Sequence, residues 1–288
     1  MKEKPFSKYQ ILANAVMIIW TLAIILPFIL LFMSSITDEN TLVANGYSFF
    51  PKKFSLASYS YIIKSGGQIL KAYGVSIGVT VVGTLLNVLL SALMAYPLSV
   101  KNLPGRNVMM FFVFFTMLFN GGIVPSYIMW TGTFHIKDTI FAQLLPNFLL
   151  SAWNVMMIRT YFTTSIPDGL YEAAEIDGAS QFTIFWKIVL PLGKPILVTM
   201  GTFAGLAYWN DWTNGLYYIV KNTGLYNVQN LLNQMVQNIQ FLTQSSNSNV
   251  TAAASTIPAT GIQMAIAFVA ILPIMLIFPS FQKYYAKG

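Results

Sequence analysis

Long uncharged runs separated by short clusters of charge set the pattern of this chain. From Lys8 to Asp38 there are 29 uncharged residues, from Lys71 to Lys101 another 29, from Arg106 to Lys137 there are 30, and from Asp138 to Arg159 there are 20. A bilayer core takes about 20 consecutive, predominantly apolar residues per helix, and charges inside it are costly. The runs therefore predict membrane-crossing helices over 12–33, 73–97, 108–130 and 139–158. A fifth follows Pro195 over 196–218 and carries one acid, Asp211, while a sixth occupies 257–281. The connections are a first external loop over 38–72, a cytoplasmic loop over 159–195 and a polar external loop over 219–256. The whole chain, 1–288, reads as one all-α polytopic membrane domain of six helices.

Composition sharpens that reading. Hydrophobic residues make up 56% and charged residues only 9%, against roughly 25% charged in an ordinary soluble domain. The mean hydropathy is +0.62, so a soluble globular protein, a disordered chain and a coiled coil are all excluded. Zero cysteines and a single histidine, His135, remove thiolate chemistry, Fe–S clusters and His-cluster metal sites. The net charge of +7 comes from basic residues scattered singly between apolar runs, with no basic patch for nucleic acid.

Those basic residues set orientation instead. Lys2, Lys4 and Lys8 precede the first run, which is too long for a cleavable signal peptide and predicts a retained helix with a cytoplasmic N-terminus. Six crossings then put both ends inside the cell membrane. On that arrangement 10 of the 16 Lys and Arg residues lie inside and 6 outside, and the short loops agree with the positive-inside rule.

The cytoplasmic loop stands apart, because it holds four of the nine acids. Ser165 followed by Asp168 has capping-box spacing, Pro167 suits a first helical turn, and Gly178 suits a left-handed helix end. A second helix can begin at Ser180. The first would present Ala173, Ala174 and Ile176 beside Glu172, Glu175 and Asp177, a small-residue face with an acidic margin suited to a groove on a soluble partner.

Glu172-Ala173-Ala174, then Asp177-Gly178-Ala179, then Ile188-Val189-Leu190-Pro191 resembles the EAA motif of binding-protein-dependent ABC importer permeases. Phe119-Asn-Gly-Gly-Ile-Val-Pro125-Ser-Tyr127, Lys137-Asp-Thr139, Ala152-Trp-Asn154, Arg159-Thr-Tyr-Phe162 and Trp209-Asn-Asp-Trp212 look like segments of the carbohydrate-uptake branch, with similarity to the maltose-type second permease and polysaccharide-type permeases over nearly the whole chain. The resemblance implies a type I importer half. Its expected partners are a homologous second permease in a heterodimer, two copies of a cytoplasmic ATPase, an external sugar-binding protein and membrane lipid. It also implies that Glu172, Ala173, Ala174, Asp177, Gly178 and Ala179 form a coupling helix seated in one ATPase, and it places the C-terminal tail, Lys283 to Gly288, near the ATPase surface.

The chain has no G-x-x-x-x-G-K-[ST]; its one Gly-Lys pair, Gly193-Lys194, lacks the upstream glycine. No ATP can be held here by a P-loop, so no cofactor is expected on this chain, and ATP and Mg belong to the partner ATPase. A sugar pathway needs aromatic faces and amide or carboxylate groups, which are expensive in lipid. The fifth helix offers Tyr208, Trp209, Asn210, Asp211 and Trp212, the third Asn120 and Tyr127 with a Gly121-Gly122 break before Pro125, and the fourth Trp153 and Asn154. Each has a plainer alternative: an interfacial aromatic belt for the fifth, tight helix packing for the third, and interhelical hydrogen bonding for the fourth. The 38–72 loop carries six aromatics and is expected to fold against the outer surface. Competing functions are an integral-membrane enzyme, for which no catalytic constellation exists, and an ATP-independent transporter, for which no inverted repeat or midplane ionisable group is visible.

Overall fold

Uncharged apolar runs leave the backbone no partner but itself in a lipid setting, so they fold as helices. The computed structural model describes residues 8–64, 66–244 and 259–285; among these the only strand-like pairing is an isolated bridge between Thr37 and Phe54. Two helices, over Lys8–Ser35 and Gly67–Ser99, are each long and apolar enough to cross a membrane alone. Two further pairs qualify when each bent pair counts as one crossing: Arg106–Leu118 with Ile123–Thr133, bent by 109°, and Gln181–Leu192 with Lys194–Asn210, bent by 78°. The sequence positions Lys2 and Lys4, the segment 245–258 and the last three residues lie outside the described residues.

The chain forms two compact units. The first comprises residues 1–67 and 232–273. In it α1 (Lys8–Ser35) shows almost its whole surface, burying only Ser34 and Ser35, as a lipid-facing helix does. The connection that follows contains α2 (Glu39–Asn45) and α3 (Ala57–Lys64). Asp38 pairs with Lys53 at 3.4 Å, and the Ser35 hydroxyl meets the Tyr59 hydroxyl at 2.8 Å. The aromatics of this loop do not pack down as expected: Tyr47, Phe49, Phe50, Phe54 and Tyr61 are exposed, and the residues that α3 turns inward are Ser58 and Ile62. Glu39 holds the start of the last helix, α15 (Ala259–Tyr285), by accepting the Thr260 and Gly261 N–H groups at 2.8 Å each. A carboxylate there also complements the positive end of the helix dipole.

The second unit comprises residues 68–231 and 274–288. Its backbone is α4 (Gly66–Ser99), α5 (Arg106–Leu118), α6 (Ile123–Ile128, continued by a π-helical turn over Met129–Thr133), α7 (Phe141–Leu144), α8 (Ala152–Ser165), α9 (Asp168–Ile176), α10 (Gln181–Ile184, continued by a second π turn over Phe185–Val189), α11 (Leu190–Leu192), α12 (Lys194–Asn210) and α13 (Thr213–Tyr218), followed by the start of α14 (Val228–Gln244). Instead of one helix over 139–158, the chain is helical over 141–144 and again from Ala152, with Pro146 and a left-handed Asn147 (φ 67°) between them. The polar stretch expected as an external loop contains α14, an amphipathic helix rich in Asn and Gln.

The core of this unit gathers Ala92, Ala95, Tyr96 and Leu98 of α4 with Val155, Ile158 and Phe162 of α8, Ala174 of α9, Ile184 of α10, Phe185 and Val189 of the π turn after it, and Met200 of α12. Glycine brings α4 and α12 together: a Cβ on Gly83 would stand 2.5 Å from the Tyr208 ring, and Gly201 and Gly205 face Val88 and Thr84. Small residues are how helices approach where lipid removes the hydrophobic drive.

Candidate functional site: the loop helix and a polar cavity

Two sites emerge from this unit. The first is the segment 165–191. Helix α9 starts after Pro167, whose carbonyl accepts the Leu170 N–H at 3.1 Å. The expected Ser165 capping box does not form, since Ser165 ends α8 and Pro167 takes the cap position. Asp168 instead pairs with Lys101, both side chains exposed. The C-terminus closes as a Schellman motif: Gly178 (φ 73°) donates to the Glu175 carbonyl at 3.0 Å and Ala179 to the Ala174 carbonyl at 2.9 Å. Ser180 then caps α10 by accepting the Thr183 N–H at 3.2 Å.

Ala174 is buried in the core, whereas Glu172, Ala173, Glu175, Asp177 and Gly178 are exposed and Ala179 is half-buried. The docking face is thus Ala173 with its acids, and Ala174 is the anchor. Tyr171 stacks on Tyr96 at 6.4 Å, and Tyr96 donates to Gln181 Oε1 at 2.6 Å, while Gln181 Nε2 donates to Glu175 Oε1 at 2.9 Å. Burial pushes the Tyr171 phenol up, so it stays neutral. Two apolar side chains stand outside this frame, Ile176 at 86% exposed and Phe182 at 67%. Sequence reasoning gave Phe182 no role; an aromatic four residues past the Gly178 turn was its only signal.

The second site is polar. Asn120, Gly122, Ile123, Ser126, Asn147, Thr213, Asn214, Tyr217 and Tyr218 line a cavity of about 140 Å³. It exists because three helices break beside one another. α5 ends at Leu118, and Asn120 Oδ1 accepts the N–H of Gly122, which has φ 85°. Asn147 takes its left-handed turn after Pro146. α12 ends at Asn210, and Asp211 Oδ1 accepts the Thr213 and Asn214 N–H groups at 2.9 and 3.3 Å, which starts α13. Amides hold these breaks together: Asn214 Nδ2 donates to the Pro146 carbonyl at 3.1 Å, and Asn147 Nδ2 to Asn214 Oδ1 at 3.3 Å.

Of the sequence-derived pathway residues, Asn120 lines the cavity, and Tyr127 stacks on its wall residue Tyr218 at 5.7 Å. The others stand elsewhere. Asn154 is buried and donates to Asn87 Oδ1 at 2.7 Å, with Asn87 Nδ2 donating to the Phe148 carbonyl at 2.6 Å. Tyr208 is buried against Gly83 and donates to the Leu144 carbonyl at 2.9 Å. Trp209 is buried, and Asp211, 5% exposed, is a helix-capping residue. Asn210, Trp212 and Trp153 are exposed. Asn147, Asn214 and Tyr217, which sequence reasoning passed over, are the amides and phenol inside apolar runs that a polar-group audit would have flagged.

Beside the cavity a clasp joins two loops. Asp138 Oδ1 accepts the Val220 and Lys221 N–H groups at 2.7 Å each and that of Asn222 at 3.3 Å. The Lys221 N–H bond leads in holding this carboxyl below its ordinary value. Lys137 Nζ donates to Tyr127 Oη at 3.0 Å, a bond that raises the ammonium pKa. Among the described residues no three His, Cys, Asp or Glu side chains converge to hold a metal ion.

Residues 72–288 match the family described as the binding-protein-dependent transport system inner membrane component. The chain is 36% identical over 264 residues to protein LplC of Bacillus subtilis, covering 92% of this chain and 87% of that protein. It is 35% identical over 280 residues to the polygalacturonan/rhamnogalacturonan transport system permease protein YtcP of the same organism, covering 97% and 96%. A crystal structure of a bacterial ABC transporter that imports the acidic polysaccharide alginate has a chain of the same fold, with a TM-score of 0.80 and 26% identity over 98% of this chain and 100% of that one. The helical architecture is that of an ABC importer permease, a multi-pass membrane subunit and not an enzyme, and this chain belongs to the binding-protein-dependent transport system inner membrane component family.

Proposed function

We propose that this chain is one half of a heterodimeric permease that passes an oligosaccharide, delivered by an external binding protein, into the cytoplasm by alternating access. It crosses the cell membrane six times with both ends inside. ATP and Mg sit on two copies of a separate ATPase, and α9 docks in one of them as the coupling helix through Glu172, Ala173, Asp177 and Gly178. The observation that carries the reading is α9 itself: a short helix fixed to the core by Ala174 and Tyr171, ended by a left-handed glycine, with exposed acids and Ile176 on its free side. That is a rigid body suited to passing motion between a soluble subunit and α8 and α12. The sugar class is supported by the relatives, one named for polygalacturonan and rhamnogalacturonan transport and one a transporter involved in the import of alginate. We assign the pathway to the polar cavity, which Asn120 lines and against whose wall residue, Tyr218, Tyr127 stacks.

Affinity purification of the tagged chain in mild detergent, with mass spectrometry of what accompanies it, tests this. A second permease and an ATPase are expected, with hydrolysis stimulated by the sugar-loaded binding protein. Purification of the chain alone, with no ATPase, would contradict the proposal and return the ATP-independent transporter as the better reading.

A further inference from the structure

Asp211 uses one carboxylate oxygen and leaves the other bare. Oδ1 accepts the Thr213 and Asn214 N–H groups at 2.9 and 3.3 Å, whereas Oδ2 is buried with no hydrogen-bond partner. The residue is 5% exposed and enters no ion pair among the described residues. A second buried acceptor beside the same turn is equally bare: Oδ1 of Asn230, itself 5% exposed. The Asn230 amide lies where a Cβ of Gly215 would stand, and its Nδ2 donates to the Trp212 carbonyl.

Turning a neighbouring amide satisfies neither oxygen. The Trp212 carbonyl fixes Asn230 with its nitrogen on that side. Asn227 accepts the Asn230 N–H at 2.8 Å through Oδ1, and its Nδ2 donates to Gln143 Oε1 at 3.0 Å and to the Asp211 carbonyl at 2.6 Å. Gln143 Nε2 donates to the Leu225 carbonyl at 2.9 Å, and Asn214 Nδ2 to the Pro146 carbonyl at 3.1 Å. Each amide is therefore oriented by another group, and its nitrogen is already engaged. What is left is a carboxylate oxygen and an amide oxygen, both buried acceptors without a donor or a counter-charge. Burial of that kind is expensive until a positive charge joins it.

We propose that Asp211 Oδ2 and Asn230 Oδ1 bind a small monovalent cation of the sodium class. Oxygen ligands without nitrogen or sulfur suit hard cations, and one carboxylate balances one positive charge, whereas calcium sites add further charged oxygens. The adjoining cavity of about 140 Å³, lined by Thr213 and Asn214, has room for the waters that complete the shell. The bound ion fastens the turn between α12 and α13 to the start of α14, and that turn forms one wall of the cavity. It acts as a lock on the wall, whatever the cavity carries.

The test is the thermal midpoint of the full-length chain, purified with the subunits that accompany it, in sodium chloride and in N-methyl-D-glucamine chloride at equal ionic strength. Sodium is expected to raise the midpoint saturably, by about 3–6 °C at about tenfold above half-saturation. Asp211→Asn keeps an oxygen for the two N–H groups and supplies an NH2 as the missing donor, so it is expected to fold and to lose the response to sodium. Asp168→Asn, at an exposed ion pair elsewhere, is expected to retain it. Hydrogen exchange of the wild type gives a readout that needs no variant: sodium is expected to slow the Thr213 and Asn214 amides. No midpoint shift with sodium overturns the site, as does a shift that survives in Asp211→Asn. A midpoint that falls with rising pH, is indifferent to sodium and loses its pH dependence in Asp211→Asn identifies a proton on Asp211 in place of the cation and overturns it as well. Unchanged exchange at Thr213 and Asn214 overturns it even where Asp211→Asn fails to accumulate.

Discussion

Gly178 carries the most consequence per atom. Its φ of 73° lies where an L side chain costs about 1–2 kcal/mol, and it lets two N–H groups return to α9 and end that helix. Open space surrounds the position, so Gly178→Leu meets no clash and its effect is confined to the turn. The variant is expected to reach the membrane in normal amount while transport is abolished, which immunoblotting and uptake measured side by side will show. Asn154 is the contrasting case. It bonds Asn87 in a buried chain that ends on the Phe148 carbonyl, so its role is interhelical. Asn154→Leu leaves Asn87 Oδ1 unpaired, at a cost of about 1 kcal/mol on the scale of membrane hydrogen bonds, and a fall of about 2–4 °C in the thermal midpoint is expected. An unshifted midpoint would mean that Asn154 is free to meet cargo.

Between elements, two contacts decide how motion at α9 reaches the crossing helices. One is the bond from Tyr96 on α4 to Gln181, the first residue of α10. Tyr96→Phe removes about 0.5–1.5 kcal/mol of tethering without a cavity, and the expected result is more ATP hydrolysed per sugar imported, read by measuring both in one preparation. The other is Gly83 on α4 under the Tyr208 ring of α12, where a Cβ would stand 2.5 Å from ring carbon. Gly83→Leu forces these helices apart and is expected to prevent accumulation of folded protein. Combining it with Tyr208→Ala should cost less than the two effects added, because the second substitution vacates the space the first invades. These are contacts between residues 85 and 125 apart in sequence, which no local pattern announces.

At the scale of the whole molecule, what was legible followed what is local. The uncharged runs marked α1 and α4, and the spacing of Pro167, Gly178 and Ser180 marked α9 and its turn. Where helices break, the runs misled. Hydropathy reads 139–158 as continuous, yet Pro146 and the left-handed Asn147 split it, and the Asn147 amide finds its partner on Asn214, 67 residues away. The cavity was half legible for the same reason: Asn120 and the Gly121-Gly122 break are local signals, while Thr213 and Tyr217 join them only through the turn that Asp211 caps. Asp211 itself was read as pathway because an ionisable group inside a crossing suggests function, and backbone N–H groups offered it a structural use.

The central claim is that α9 seats in a soluble ATPase and couples it to the crossing helices. The chain contains no cysteine, so a single introduced thiol is unambiguous. Ala173→Cys, at an exposed position on the free side of α9, paired with single cysteines along the ATPase cleft, should yield a disulfide cross-link whose extent changes when ATP is added to the assembled complex. No cross-link from any cleft position, in a complex that hydrolyses ATP and imports sugar, would contradict the claim and move the coupling surface elsewhere on the chain.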